Sequence, residues 1–176
     1  MTALIVMACS STKRPGEEAM PAIDRYDGPM WRTLRAALAD LGEDCRPEIW
    51  FLSARYGFHP ADMPIADYEQ RMTPSRAAEL LRLPTSNHAA FAEAARGADR
   101  ILLAGGAIYR DAMRRAIGSC ANWCAARSAG WTRSADALKS ALSTNSPATA
   151  FSNPAKLFEW SFPHRKQGDS ALNRPS

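Results

Sequence analysis

The stretch Ala3-Leu4-Ile5-Val6-Met7-Ala8-Cys9-Ser10-Ser11-Thr12-Lys13 decides how the rest of the chain is read. Its apolar first part predicts a buried strand. After Ala8 the chain changes abruptly to a thiol, three hydroxyls and a cation. In an open α/β sheet, ligands bind just beyond the carboxyl ends of the strands. A strand that empties into Cys9-Ser10-Ser11-Thr12-Lys13 is therefore a candidate binding or reaction loop.

Two further segments repeat the pattern. Glu48-Ile49-Trp50-Phe51-Leu52-Ser53-Ala54 predicts a second buried strand running into Arg55-Tyr56-Gly57-Phe58-His59-Pro60, a polar loop. Asp99-Arg100-Ile101-Leu102-Leu103-Ala104 predicts a third, running into Gly105-Gly106. Helices are expected between and after them. Trp31, Leu34, Leu38 and Leu41 share one face of a helix over 30–41, with Pro29 at its first turn and Gly42 at its stop. Others are expected over 75–83, 87–96 and 109–117. This alternation predicts a single-domain α/β fold with a mainly parallel, doubly wound central sheet and right-handed crossovers. Residues 9–29, with Pro15, Gly16, Pro21, Gly28 and Pro29, read as a long, mostly irregular loop, and 61–74 as irregular too. A length of this kind inside a compact domain points to function or disorder.

The α/β domain is expected over 1–142, with a helix over 134–142 at its end. Residues 143–176 read as an irregular tail. In it Phe151, Phe158, Trp160 and Phe162 form an aromatic island that can pack back on the sheet, and the end is polar enough to be disordered.

The chain has 176 residues and a net charge of +4. The charge is uneven: residues 1–98 carry 11 Lys/Arg against 13 Asp/Glu, and residues 99–176 carry 11 against 5. A basic second half suits a polyanion such as DNA or RNA, or simply a solvated surface. The 4 cysteines lack the density of a secreted disulfide scaffold. No stretch approaches the roughly 18 apolar residues that span a bilayer. The expectation is a cytoplasmic protein with reduced thiols and no membrane partner; the oligomeric state is left open.

Five constellations can carry chemistry. In the first, successive amides of the 9–13 loop, if it turns into a helix or nest, converge with the hydroxyls of Ser10, Ser11 and Thr12 on a phosphate or carboxylate, and Lys13 adds a charge. It is not a Walker loop, for its glycines are absent. Cys9 is open to three roles: nucleophile, ligand-loop member, or small buried residue. In the second, Ser53, Arg55, Tyr56, Gly57 and His59 offer a hydroxyl, a guanidinium suited to an anion or planar base, a stacking ring and an imidazole. The third, Asp67-Tyr68-Glu69-Gln70-Arg71-Met72, is either a segment that closes over a ligand or a surface turn with an ion pair. The fourth is Gly105-Gly106 with Tyr109-Arg110, where paired glycines admit a close ligand at a helix N-terminus. The fifth, Cys120-x3-Cys124, lacks two further ligands at zinc-site spacing and reads as two helical cysteines one turn apart. No metal and no cofactor is expected.

These motifs occur in order. Cys9-Ser10 with Lys13, Tyr26 and Gly28 before Trp31, Ser53 to Gly57, Tyr68 with Arg71, and Gly105-Gly106 with Tyr109-Arg110 resemble a family of small bacterial and phage domains of uncharacterised activity. The likeness covers about residues 3–142. Such domains are similar to peroxide-stress proteins of the YaaA type and to the core domain of archaeosine synthase, whose motif is a Cys, three residues, then Lys-Pro-Tyr. Here Arg14 stands between Lys13 and Pro15, and no tyrosine follows the proline. The wider group is similar in fold to uracil-DNA glycosylases. The resemblance implies a Rossmann-like, uracil-DNA-glycosylase-like sheet and an association with nucleobases or nucleic acid.

Two functions are thereby expected. One is an enzyme of nucleobase, nucleoside or nucleotide chemistry, with Cys9 and Lys13 as catalytic candidates. In it Ser10, Ser11, Tyr26, Ser53, Arg55, Tyr56, Gly57, Tyr68, Arg71, Gly105, Gly106 and Tyr109 would hold the ligand. The other is a non-catalytic nucleic-acid-binding or stress-response module, for which the basic half and its tryptophans speak.

Overall fold

The apolar opening run forms β1 (Ala3–Ala8), and from Leu4 to Ala8 no residue is more than 2% exposed. Burial on both faces is possible because β1 lies inside a sheet covered by helices on both sides. A computed structural model describes residues 2–16, 18–42, 46–118 and 156–160. Among them the order continues β2 (Met20–Pro21), α1 (Ala22–Arg25), α2 (Pro29–Ala39), β3 (Glu48–Ser53), β4 (Gly57–Pro60) and β5 (Pro64–Ile65). Then come α3 (Pro74–Leu80), a 3₁₀ turn at Pro84–Ser86, α4 (His88–Gly97), β6 (Arg100–Ala104), α5 (Ala107–Ile117) and β7 (Lys156–Trp160).

The main sheet has the order β4-β3-β1-β6-β7. Parallel pairing sets Leu4 against Glu48 and Ala8 against Leu52 on one side of β1, and Ala3 against Arg100 and Met7 against Ala104 on the other. β7 extends the sheet in parallel beyond β6, and β4 folds back antiparallel on β3. The molecule is thus mixed α/β with a mostly parallel sheet, as its alternating pattern predicts. Alternate residues of β1 feed two cores. Leu4, Val6 and Ala8 meet Leu52, Leu103, Phe91, Leu80, Met113 and Ile117 on the α3–α5 side. Ile5 and Met7 meet Phe51, Trp31, Leu34 and Leu38 on the α2 side. Each large aliphatic side chain so enclosed contributes about 1.5–3 kcal/mol. Trp31 also pins α2 to the end of β1, since its indole N–H donates to the Ala8 carbonyl at 2.9 Å.

The structure departs from the sequence reading at three places. The segment 55–60 is not a loop throughout: it turns at once and returns as β4, opposite Ser53 to Trp50. Gly57 makes this possible, with φ +82° and the Ser86 backbone so close that a Cβ would meet its carbonyl oxygen at 2.5 Å. Phe58 is then fully buried and stacks on Phe91 with centroids 4.5 Å apart. The long stretch 9–29 contains β2 and α1, and β2 pairs with β5, so 61–74 is also partly ordered in a two-stranded ladder. Finally, 156–160 of the expected irregular tail is a strand. The expected helix at 134–142 and the Cys120-x3-Cys124 pair lie outside the described residues. No described helix is long and apolar enough to cross a membrane.

Candidate functional site

Because β1, β3 and β6 run parallel, their carboxyl ends lie side by side, and the residues just beyond those ends meet. Cys9 directly continues β1, its N–H donating to the Leu52 carbonyl at 2.9 Å. Its Sγ stands 3.1 Å from the Tyr109 hydroxyl of α5. Gly105 permits this meeting. It has φ +154° and lies so close to β1 that a Cβ would come within 2.5 Å of the Ala8 Cβ. A larger residue would push the start of α5, and Tyr109 with it, away from Cys9.

Beside the thiol lies a cluster of three hydroxyls. Ser53, at the end of β3, places Oγ 2.7 Å from the Tyr68 hydroxyl. That hydroxyl is 2.7 Å from the hydroxyl of Tyr26. The N–H groups of Arg55 and Tyr56 donate to Ser53 Oγ at 3.1 and 3.3 Å, so Ser53 also stabilises the turn into β4. Tyr26 packs between Trp31 and Phe51, and Tyr68 lies edge-on to Tyr56 at 5.2 Å. Tyr26 and Ser53 are wholly enclosed; Cys9, Tyr56 and Tyr109 are half-buried.

Burial is the largest reason that Tyr26, Tyr68 and Tyr109 all have hydroxyl pKa values well above the usual phenol range. The neighbouring Cys9 charge raises all three further. All three are therefore neutral hydrogen-bond donors at ordinary pH. Met72 offsets the rise at Tyr109 through a backbone hydrogen bond. His59 sits in β4 with Nε2 3.0 Å from the Tyr56 carbonyl; burial lowers its pKa, against the effect of that bond.

Lys13 is engaged by the 67–69 segment. Its side chain is 6% exposed. Nζ donates to the Tyr68 carbonyl at 2.5 Å and lies 3.3 Å from Glu69 Oε1 and 3.5 Å from Asp67 Oδ1. It also stands 4.6 Å from the centre of the Tyr68 ring. The ammonium thus fastens the segment that carries Tyr68. Nor does the loop around it form a helix or nest. Thr12 and Arg14 pair as extended chain with Asp27 and Arg25, and Lys13 bridges Tyr26. The reason lies in Arg25, which is fully buried and donates to the carbonyls of Arg14, Gly16 and Glu18, drawing the chain around itself.

The structure therefore brings Cys9, Tyr109, Ser53, Tyr68, Tyr26 and Tyr56 together. Gly57 shapes the turn behind Ser53, and Gly105 the approach of α5. Ser10 is half-buried, and its Oγ accepts the Thr12 N–H at 3.1 Å; Ser11 is exposed. Arg55 is exposed, 5.8 Å from the Tyr56 ring centre. Arg71 is exposed as well and makes no contact with the cluster among those described. Gly106 is exposed and stands just before α5 as its N-cap.

Sequence reasoning missed the arginines that support the site. Arg25 holds the loop, Arg35 binds the carbonyls of Ile23 and Tyr26, and Arg76 donates to the Ala54 carbonyl at 2.7 Å behind the Ser53 turn. For Arg25 the available signal is the Asp24-Arg25-Tyr26-Asp27 run, too rich in large polar and aromatic side chains for a mere linker. Among the described residues no group of three or more His, Cys, Asp or Glu is placed to hold a metal ion.

Comparison of the chain with family models, with curated proteins and with solved structures gives no match.

Proposed function

We propose that the protein is an enzyme acting on a nucleobase, nucleoside or nucleotide, by base modification or N-glycosidic chemistry, on the free compound or within nucleic acid. The observation that carries this reading is the thiol–phenol pair of Cys9 and Tyr109 at the end of the central strand, beside the Ser53–Tyr68–Tyr26 hydroxyls. A half-buried thiol in contact with a phenol hydroxyl at a strand end is a candidate nucleophile. Tyr56 offers a ring for a base to stack on, and Arg55 a guanidinium beside it. The N-terminus of α5, at the exposed Gly106, suits the phosphate of a nucleotide. The Rossmann-like, glycosylase-like sheet and the nucleobase association that the sequence resemblance implies point the same way. In this reading Cys9 is the reacting group, and Lys13 keeps Tyr68 in place rather than touching the ligand.

The test is incubation of the pure protein with nucleosides, nucleotides, tRNA and DNA, followed by mass spectrometry. Base release or a mass change that disappears in Cys9→Ala is expected. Unaltered substrates throughout would overturn the reading.

A second reading, a nucleic-acid-binding module without catalysis, is favoured by the excess of basic residues in 99–176. It expects retention on a nucleic-acid column that weakens steeply with salt and is unaffected by Cys9→Ala.

A further inference from the structure

The contact between Cys9 and Tyr109 has a direction, and the residues around it set that direction. Tyr109 stands in the first turn of α5, and the close approach of Gly105 to Ala8 brings its hydroxyl to 3.1 Å from Sγ. The phenol oxygen accepts a backbone hydrogen bond from Met72, whose N–H can only donate. Burial and the neighbouring Cys9 charge keep this phenol neutral, so it retains a proton of its own to give. Among the described residues that proton has Sγ as its acceptor. Sulfur accepts such a bond weakly as a thiol and more strongly as a charged thiolate. Two other phenols act on Cys9 through charge, Tyr26 from the chain before α2 and Tyr68 from the 67–72 segment. Their hydroxyls, however, are joined to each other, and that of Tyr68 also to Ser53. Lys13 is engaged by Tyr68, Asp67 and Glu69.

We infer that Tyr109 is a positioning residue for Cys9, its hydroxyl donating to the sulfur and holding it in one orientation at the end of β1. The inference rests on the reading of Cys9 as the reacting group. Tyr109 acts through the sulfur and needs no contact with the substrate. Its own place is set from two sides, by Gly105 and by Met72. Met72 belongs to the segment that Tyr68 and Lys13 fasten, so the seat of that segment also fixes the phenol. A hydrogen bond given to the charged form of a group favours that form, so loss of the hydroxyl has a consequence that loss of packing does not.

Iodoacetamide tests this on the full chain, with the adduct on the Cys9 peptide followed by mass spectrometry across pH. In Tyr109→Phe the ring stays and the hydroxyl is lost. The curve of rate against pH should move about one unit toward higher pH, a loss of about tenfold on its rising limb, while its plateau stays within about twofold of native. A phenol that served only to fill space would leave the Phe variant on the native curve. Should Tyr109→Phe not fold, NMR of the native protein labelled at tyrosine Cζ serves instead. Of the tyrosine signals that of Tyr109 should move most, at the pH midpoint of Cys9 alkylation. A curve that does not move, a loss equal at every pH, or a Tyr109 signal blind to the ionisation of Cys9 would overturn the inference and leave Cys9 as the reacting group. A native Cys9 that resists iodoacetamide at every pH would overturn the inference and that reading together.

Discussion

The segment 67–72 is fastened at two places, and they differ in kind. On the inside, Tyr68 joins Ser53 and Tyr26 through neutral hydrogen bonds in a region closed to water. On the outside, Lys13 meets Asp67 and Glu69, whose side chains are 59% and 88% exposed. The inner fastening is directional, and each member limits the others. The outer one joins an enclosed ammonium to two solvated carboxylates, and water around the carboxylates weakens the pair. The contrast teaches that the position of Tyr68 is decided by the dry cluster. Lys13 adds most through its bond to the Tyr68 carbonyl and its contact with the ring, and least through its carboxylates.

The largest break in this comparison is Tyr68→Ala. It removes a buried ring and leaves Ser53 and Tyr26 without their shared partner. A loss of about 3–5 kcal/mol is expected in urea unfolding, and a loss under 1 kcal/mol would show that the inner cluster does not hold the segment.

Alkaline pH attacks the same cluster. Tyr26, Tyr68 and Tyr109 have folded-state pKa values above 10.0, their value in the unfolded chain. Their contribution is complete below pH 10 and declines as pH rises above it, because the unfolded state then releases protons that the folded state keeps. The slope approaches about 1.4 kcal/mol per pH unit for each such group. Phenolate absorbance at pH 11 should accordingly rise sharply when the protein is unfolded, since 3 of its 4 tyrosines resist ionisation while folded. Native and unfolded protein with the same absorbance would contradict this.

Tyr26→Phe deletes one inner bond and keeps the ring between Trp31 and Phe51. A cost of about 1 kcal/mol is expected, independent of salt. At the outer fastening Glu69→Gln should cost less than about 0.5 kcal/mol, and that small effect should vanish in 1 M NaCl. If the order of these two effects were reversed, the outer charges would be the principal hold on Tyr68.

Much of the fold is legible in local chemistry. The apolar runs of β1, β3 and β6 are long enough to predict buried strands, and the spacing Trp31, Leu34, Leu38 predicts the buried face of α2. β4 was not legible, because Gly57-Phe58-His59-Pro60 has the composition of a turn. It becomes a strand only because Gly57 tolerates the Ser86 backbone and Phe58 finds Phe91. The site was legible as a list of residues and not as an arrangement. Cys9 and Tyr109 lie 100 positions apart, and Tyr26 and Tyr68 lie 42 apart. Nothing local says which of them touch. Lys13 is the clearest case: its ammonium binds Tyr68, Asp67 and Glu69, more than 50 positions away, and no local pattern announces those partners.

For this protein, the order of residues dictates where strands and helices form and that polar groups gather at the strand ends. Periodicity and turn chemistry act within a few residues and can be read along the chain. Which hydroxyl meets which, and which cation is enclosed, were decided by the fold. Those depend on packing between segments far apart in sequence, where burial removes water as the alternative partner.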